Sequence, residues 1–330
     1  MAVRLSVLCQ SPVSEGRAPA DAVRETIALA KCADEAGYHR FWVAEHHSDR
    51  ALASGAPAVM VGAVAAATSR IRVGSGGVLM LFHSPFHVAE QFNLLAALHP
   101  GRVDLGLGRS AGSEAHAPEA LGVRAPGDRA FAAMDEALSW LGTGAPNRPF
   151  PDTFASPAVD RSAEPWVLGT SVASAAFAAS RGLPYAFGGF LDPRGLVPCL
   201  TAYHEQFRPG RFGDRPKALL AWYAQAAATD AEARDQAGSS EQWFVETFLR
   251  RGNPLIRPSD PERARGWSPM EQMMVAMRRE FAVVGAYDRV AAGLAELASR
   301  YAVDEVMVVT LAHDAEARRA SYRGIAEASS

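Results

Sequence analysis

A single (β/α)8 barrel is the fold this sequence predicts, and three observations carry it. Short runs of β-branched and aromatic residues alternate with longer runs of helical spacing along nearly the whole chain, the pattern of a parallel sheet wrapped by helices. The 330 residues exceed the length of a plain barrel, ~250 residues, by about one insertion. No stretch has the composition of a linker, and no internal period suggests a solenoid. The chain is therefore read as one domain, residues 1–330, with an insertion over about residues 238–281.

Taken in order, Arg4 to Leu8 reads as strand one. Asp21 to Ala36 has apolar positions at helical spacing and stops at Gly37, a residue suited to a helix end. Arg40 to Ala44 is strand two, Ala56 to Thr68 the second helix, Ile71 to Met80 strand three, Phe86 to Leu98 the third helix and Arg102 to Leu107 strand four. Asp128 to Leu141 reads as helix four, and Gly142 to Glu164, rich in Pro, Gly and Ser, as an irregular connection. Trp166 to Leu168 is strand five, followed by a helix from Ser171 to Arg181. Pro184 to Gly188 is strand six, Leu196 to Phe207 its helix, and Leu219 to Tyr223 strand seven. The longest departure, Gly238 to Phe281, carries Pro254, Pro258, Pro261 and Pro269. Asp288 to Tyr301 and Val303 to Val309 then resume helix and strand.

Composition removes several function classes. With 48% hydrophobic residues the chain can bury a large core, and a net charge of -3 gives no pull toward nucleic acid or an anionic membrane. Cys9, Cys32 and Cys199 lie far apart without Cys-x-x-Cys spacing, so neither a disulfide framework nor a thiolate metal site is expected. A reducing compartment, the cytoplasm, follows. The apolar start, Met1 to Leu8, runs directly into Gln10, Ser11 and Pro12, so no signal or membrane segment is expected.

In a parallel barrel the active face lies at the carboxyl ends of the strands. Glu45-His46-His47 follows strand two. Imidazoles there suit general acid/base work or stabilisation of developing charge, and a helix-cap or surface cluster is the alternative. No metal site is expected, because no further ligand stands at the right spacing. Gly74-Ser75-Gly76-Gly77 puts glycines inside a strand, which calls for a flat ring on the strand end or a bulge at a barrel corner. Arg109 closes strand four, as a phosphate or carboxylate grip or as a structural ion pair. Thr170, Ser171 and Ser174 open the helix after strand five, either as an anion site or as ordinary capping. All four places converge on one face and together describe a flat-ringed cofactor that bears a phosphate.

Several segments resemble the bacterial luciferase-like flavin-dependent monooxygenases, in their non-luminescent, alkanal-monooxygenase-like branch. They are Phe41-Trp42-Val43-Ala44-Glu45-His46-His47, Ile71-Arg72-Val73-Gly74-Ser75-Gly76-Gly77-Val78, His83-Ser84-Pro85 with Val88-Ala89-Glu90-Gln91-Phe92, and Pro100-Gly101-Arg102-Val103-Asp104-Leu105-Gly106-Leu107-Gly108-Arg109. Leu168-Gly169-Thr170-Ser171 with Ser174, Gly182-Leu183-Pro184-Tyr185-Ala186-Phe187 and Asp304-Glu305-Val306-Met307-Val308 extend the match over nearly the whole chain.

The resemblance implies FMN, supplied reduced by a separate flavin reductase, with dioxygen as co-substrate. Through a flavin hydroperoxide, one oxygen atom would enter an organic substrate and the other would leave as water. It implies a cis peptide at Gly76-Gly77 under the ring, His46 as the catalytic histidine, and Arg109, Thr170, Ser171 and Ser174 on the phosphate.

The chain departs from the family pattern at three places. Cys9 stands where an aspartate is usual, Leu81 and Phe82 where a Pro-Asn pair is usual, and Phe190 where histidine is common. With His47, the residues Cys9, Phe82 and Phe190 are read as a substrate pocket turned toward an apolar molecule, in secondary metabolism. Met270, Met273, Met274 and Met277 recur at helical spacing, most simply as core, within a segment that serves as a lid in the family. Pro57 to Thr68 is apolar around nearly its whole circumference, which predicts a homodimer. The competing readings are a deazaflavin-dependent hydride transferase and a flavin-binding protein without turnover.

Overall fold

The structure, a computed structural model, describes residues 3–110, 117–122, 129–143, 150 and 152–330. The first half runs β1 (Arg4–Cys9), α1 (Pro19–Glu35), β2 (Arg40–Val43), α2 (Pro57–Ala67), β3 (Arg72–Ser75), β4 (Val78–Leu79), α3 (Pro85–Leu98), β5 (Val103–Gly108), α4 (Ala117–Ala120) and α5 (Arg129–Trp140). The second half runs β6 (Glu164–Gly169), α6 (Val172–Ser180), β7 (Tyr185–Gly188), α7 (Leu196–Gln206), β8 (Ala218–Ala227), α8 (Asp230–Phe244), α9 (Pro261–Arg265), α10 (Pro269–Phe281), β9 (Val283–Ala286), α11 (Tyr287–Arg300), β10 (Glu305–Val309) and α12 (Ala315–Ala328).

Among the described residues, the pairings between these strands are all parallel. They run β1-β2-β3-β5-β6-β7-β8, and β10 pairs with both β8 and β1, so the sheet closes into a (β/α)8 barrel. The expected start of helix four at Asp128 lies outside the described residues, as does part of the irregular connection after it.

Strand three is interrupted. Gly74 pairs with Asp104, but Val78 pairs with Leu107, so β3 and β4 spend one residue more than β5 over the same stretch. This is a bulge, and within it the Gly76-Gly77 peptide is cis. Protein contacts alone account for its glycines: a Cβ on Gly77 would lie 2.8 Å from the Gly106 carbonyl oxygen, and one on Gly106 2.2 Å from that of Ser75.

Alternation along the strands divides the core into two layers. Leu8, Trp42, Ala44, Trp166, Leu219 and Met307 fill the barrel interior. Val7, Phe41, Val73, Leu105 and Leu220 face the helices.

At the amino end of the barrel Arg40 is fully buried. It donates to Glu305 at 2.5 and 3.1 Å and to Asp104 at 2.7 Å. Ser6 donates to Glu305, while Trp42 and Arg72 donate to Asp104. Burial alone would raise the Asp104 carboxyl, but Arg40 and Arg72 outweigh it and hold the group below its usual range.

Beyond Tyr223, β8 continues four residues further than the expected strand, because β9 pairs with Ala224 to Ala227. The chain between β8 and β9 crosses toward the loops after β1 and β2. Ile256 donates its N–H to Val13 and accepts from Glu15, and Asn253 bridges Arg50 and Ser48. Ala51, Leu52, Ile256 and Leu311 bury one another there, with Tyr223 and Trp243 against them.

Within this segment Ser268 and Glu271 cap α10 reciprocally. The methionine stripe on α10 is not plain core: Met270 and Met273 are 69% and 55% exposed, and only Met274 and Met277 turn inward.

Candidate functional site

Gln10 and His46 leave adjacent strands, β1 and β2, at the barrel's carboxyl face. Their side chains meet, with His46 Nε2 2.6 Å from Gln10 Oε1. An amide oxygen only accepts, so this contact assigns the proton to Nε2. Gln10 is itself buried, which limits how far the ring can move.

Glu45 precedes His46 and is buried. Its Oε1 lies 2.7 Å from Nε2 of both His47 and His83, and its Oε2 accepts the N–H of Leu79 at 2.8 Å. One carboxylate thus ties the loop after β2 to the chain just past the Gly76-Gly77 bulge. His47 is further fixed by Phe82, whose ring meets it edge-on with centroids 5.4 Å apart. Sequence reasoning placed His47 and Phe82 in one pocket and noted Glu45 only as part of the motif after strand two; it did not single out Gln10 or His83.

At the next strand ends, Arg109 lies over the ring of Phe131 at 5.2 Å, and Phe131 stacks on Phe177 of α6 at 4.6 Å. Arg109 is in this way held beside α6, whose first turn follows Thr170 and Ser171. Ser171 is the N-cap and accepts from Ser174 N at 3.2 Å.

Ser174 is only 2% exposed. Its hydroxyl donates to the Ser171 carbonyl at 2.7 Å and lies 3.3 Å from the Tyr185 hydroxyl, so it is turned into the protein. Tyr185 donates to Gly169 O at 3.0 Å, and burial holds its pKa above the usual range, keeping it a donor. Thr170 and Ser171 are partly exposed at the helix start, while Ser174 braces that start from behind.

The two remaining predicted residues part company. Phe190 packs against the interior cluster of Leu8, Trp42 and Trp166. Cys9 belongs instead to the layer between barrel and helices, with Sγ 3.7 Å from Thr26 Oγ1 of α1 and accepting from Ser11 N. The structure therefore places Cys9 among the packing residues between barrel and helices. The reason is the strand's alternation: Leu8 faces the interior, so Cys9 must face out.

Among the described residues no group of His, Cys, Asp and Glu is arranged to hold a metal, and no helix is long and apolar enough to cross a membrane. A cavity of about 570 Å³ lies between α8, α10 and the loop after β7; of the predicted site residues it is lined by Phe190 alone.

Fold and mouth together define a parallel barrel whose polar groups gather at the carboxyl ends of its strands, around a glycine-built strand break. The chain belongs to the luciferase-like monooxygenase family, whose model matches residues 3–304. It is 34% identical over 336 residues to an N-acetyl-S-alkylcysteine monooxygenase of Bacillus subtilis, covering 99% of this chain and 98% of that protein. The crystal structure of apo-MsnO8 matches with a TM-score of 0.89 at 37% identity, over 99% of this chain and 98% of that one. The fold also matches the oxygenating constituent of 3,6-diketocamphane monooxygenase from Pseudomonas putida, in complex with FMN, with a TM-score of 0.74 at 19% identity, over 99% and 97% of the two chains.

Proposed function

We propose that this chain is the oxygenase of a two-component system: it takes reduced FMN from a separate reductase and uses dioxygen to oxygenate an organic substrate. The observation that carries the reading is the Gln10–His46 contact of 2.6 Å at the strand ends, beside the Gly76-Gly77 bulge. Family membership supports it. The mouth fits a flavin phosphate: Arg109 is held beside α6 by aromatic contacts, and the first turn of α6 offers the Thr170 and Ser171 hydroxyls at the positive end of a helix.

When bound, reduced FMN supplies the electrons that activate dioxygen. The chain's own residues do the rest. Arg109, Thr170 and Ser171 hold the phosphate. His46, with its proton on Nε2 and its ring fixed by Gln10, bonds to the oxygen where charge develops. The segment that bridges to Val13 and Ser48 excludes water. One oxygen atom enters the substrate and the other leaves as water.

The substrate pocket is formed by His47, Phe82 and Phe190. The protein works as a homodimer, since α2 and α3 leave Val59, Leu94 and Leu98 exposed.

The test is anaerobic loading with reduced FMN, mixing with oxygen-18 dioxygen, and mass detection of labelled product. Oxygen uptake with FMN and label in product support the reading. Oxidation of a reduced deazaflavin without oxygen uptake would overturn it in favour of hydride transfer, and flavin binding without turnover would leave a carrier.

A further inference from the structure

The cavity between α8, α10 and the loop after β7 is large enough for a small organic ligand, which fills about 300–1,000 Å³ in typical sites. Its walls are apolar where Phe190, Phe244, Met277 and Phe281 meet it. They are also strongly cationic, with Arg194, Arg234, Arg278, Arg279 and Arg289 against the carboxylates of Asp192 and Glu241.

Two of the cations are already matched: Arg279 forks onto both oxygens of Glu241 at 2.6 Å, and Arg289 pairs with Asp230 at 2.9 Å. Arg278 is different. Its guanidinium rests on the Phe244 ring at 4.2 Å, yet no hydrogen bond or ion pair engages it among the described residues. Stacking occupies one face of the plane and leaves the N–H edge to a partner, the geometry in which arginine receives a carboxylate in two parallel bonds. Arg278 is half-buried, and the carboxylate of Glu241, which acts on it through space, is already forked by Arg279. Burial pulls its pKa down from the usual arginine value. Phe190 connects this cavity to the barrel mouth, because the same ring packs on the interior cluster.

We propose that this cavity binds an organic carboxylate, its charge on the N–H edge of Arg278 and its apolar body along Phe281, Met277 and Phe190 toward the strand ends. The ligand is the molecule to be oxygenated, a point that rests on the monooxygenase reading; the binding site itself does not. The apolar pocket read from Phe82 and Phe190 is then the far half of an amphipathic one.

The experiment is calorimetric binding to the flavin-free full chain at neutral pH, with hexanoate, decanoate and 4-phenylbutyrate, each against the alcohol of the same skeleton. Acids should bind about ten- to a hundred-fold more tightly than their alcohols, the range of one charge-assisted contact. Arg278→Met should erase that preference and leave the alcohols unchanged, while Arg278→Lys should keep part of it. Unaltered binding of reduced FMN shows that the variants are folded. Equal affinity for acids and alcohols, or a preference that survives Arg278→Met, overturns the proposal. Oxygen uptake is measured separately: uptake with no carboxylate preference sinks this site alone, and carboxylate binding without flavin-dependent uptake sinks the monooxygenase reading alone.

Discussion

Nε2 of His83 lies 2.7 Å from Oε1 of Glu45, across 38 positions of chain. With His47 on the same oxygen and Leu79 N–H on the other, Glu45 sets where the chain runs after the strand break. Glu45→Gln removes the charge shared by two partly buried imidazoles and the Leu79 N–H, and a hydrogen bond to a charged group is worth about 1.5–3 kcal/mol. Urea unfolding should show a loss of that size. Reduced-FMN binding should weaken with it, and wild-type stability in Glu45→Gln would refute the role.

His46→Ala should bind reduced FMN almost normally and lose product by roughly 100- to 10,000-fold, the worth of a positioned acid/base group. Hydrogen peroxide should replace product. Gln10→Ala should reproduce part of the defect, because it frees the ring. Stopped-flow absorbance with product analysis decides, and an unchanged yield in His46→Ala moves the role elsewhere.

Arg109→Ala should weaken reduced-FMN affinity about 10- to 100-fold. Ser174→Ala should behave differently, since its hydroxyl faces inward: a loss of ~1 kcal/mol from the helix cap and little change in affinity. Fluorescence titration beside thermal unfolding separates the two effects.

The Arg40 network predicts an acid limb in stability. Asp104 has its folded pKa below the unfolded value of ~3.9, so its contribution is present above that pH and is lost as pH falls through the folded value. Asp104→Asn should cost ~3–5 kcal/mol near neutrality by leaving Arg40 short of a counter-charge. It should also flatten the acid limb, which denaturant midpoints between pH 2 and pH 7 would reveal.

The exposed Val59, Leu94 and Leu98, on α2 and α3, should lie in the homodimer contact. Leu98→Asp with Val59→Asp should yield monomers by light scattering. A wild-type chain that is already monomeric at micromolar concentration removes the dimer.

The barrel and the position of His46 were legible because strand–helix alternation and a polar cluster at a strand end are local signals. What escaped was direction. Leu5 to Cys9 is apolar except for Ser6, so the strand gives no period-two contrast to say which face Cys9 takes, and only closure against Trp42 and Met307 decides it. Ser174 reads with Thr170 and Ser171 as one hydroxyl cluster at a helix start until Tyr185, on another strand, claims it. Gln10 carries no spacing signal at all, since its partner comes from the neighbouring strand. Arg40 enters the sequence reading only as the first residue of strand two, because its partners Asp104 and Glu305 are distant in the chain.

The bonds of Ile256 to Val13 and Glu15, with the neighbouring pair Arg257 and Glu15 at 242 positions' separation, fasten the segment between β8 and β9 to the loop after β1. Contacts so remote in sequence bear a large loop-closure cost before they are rewarded. On the ribosome β1 and β2 emerge long before the segment that fastens to their loops exists. That segment in turn precedes β10, whose pairing with β1 and β8 closes the barrel, so cover and framework are completed together, late in synthesis.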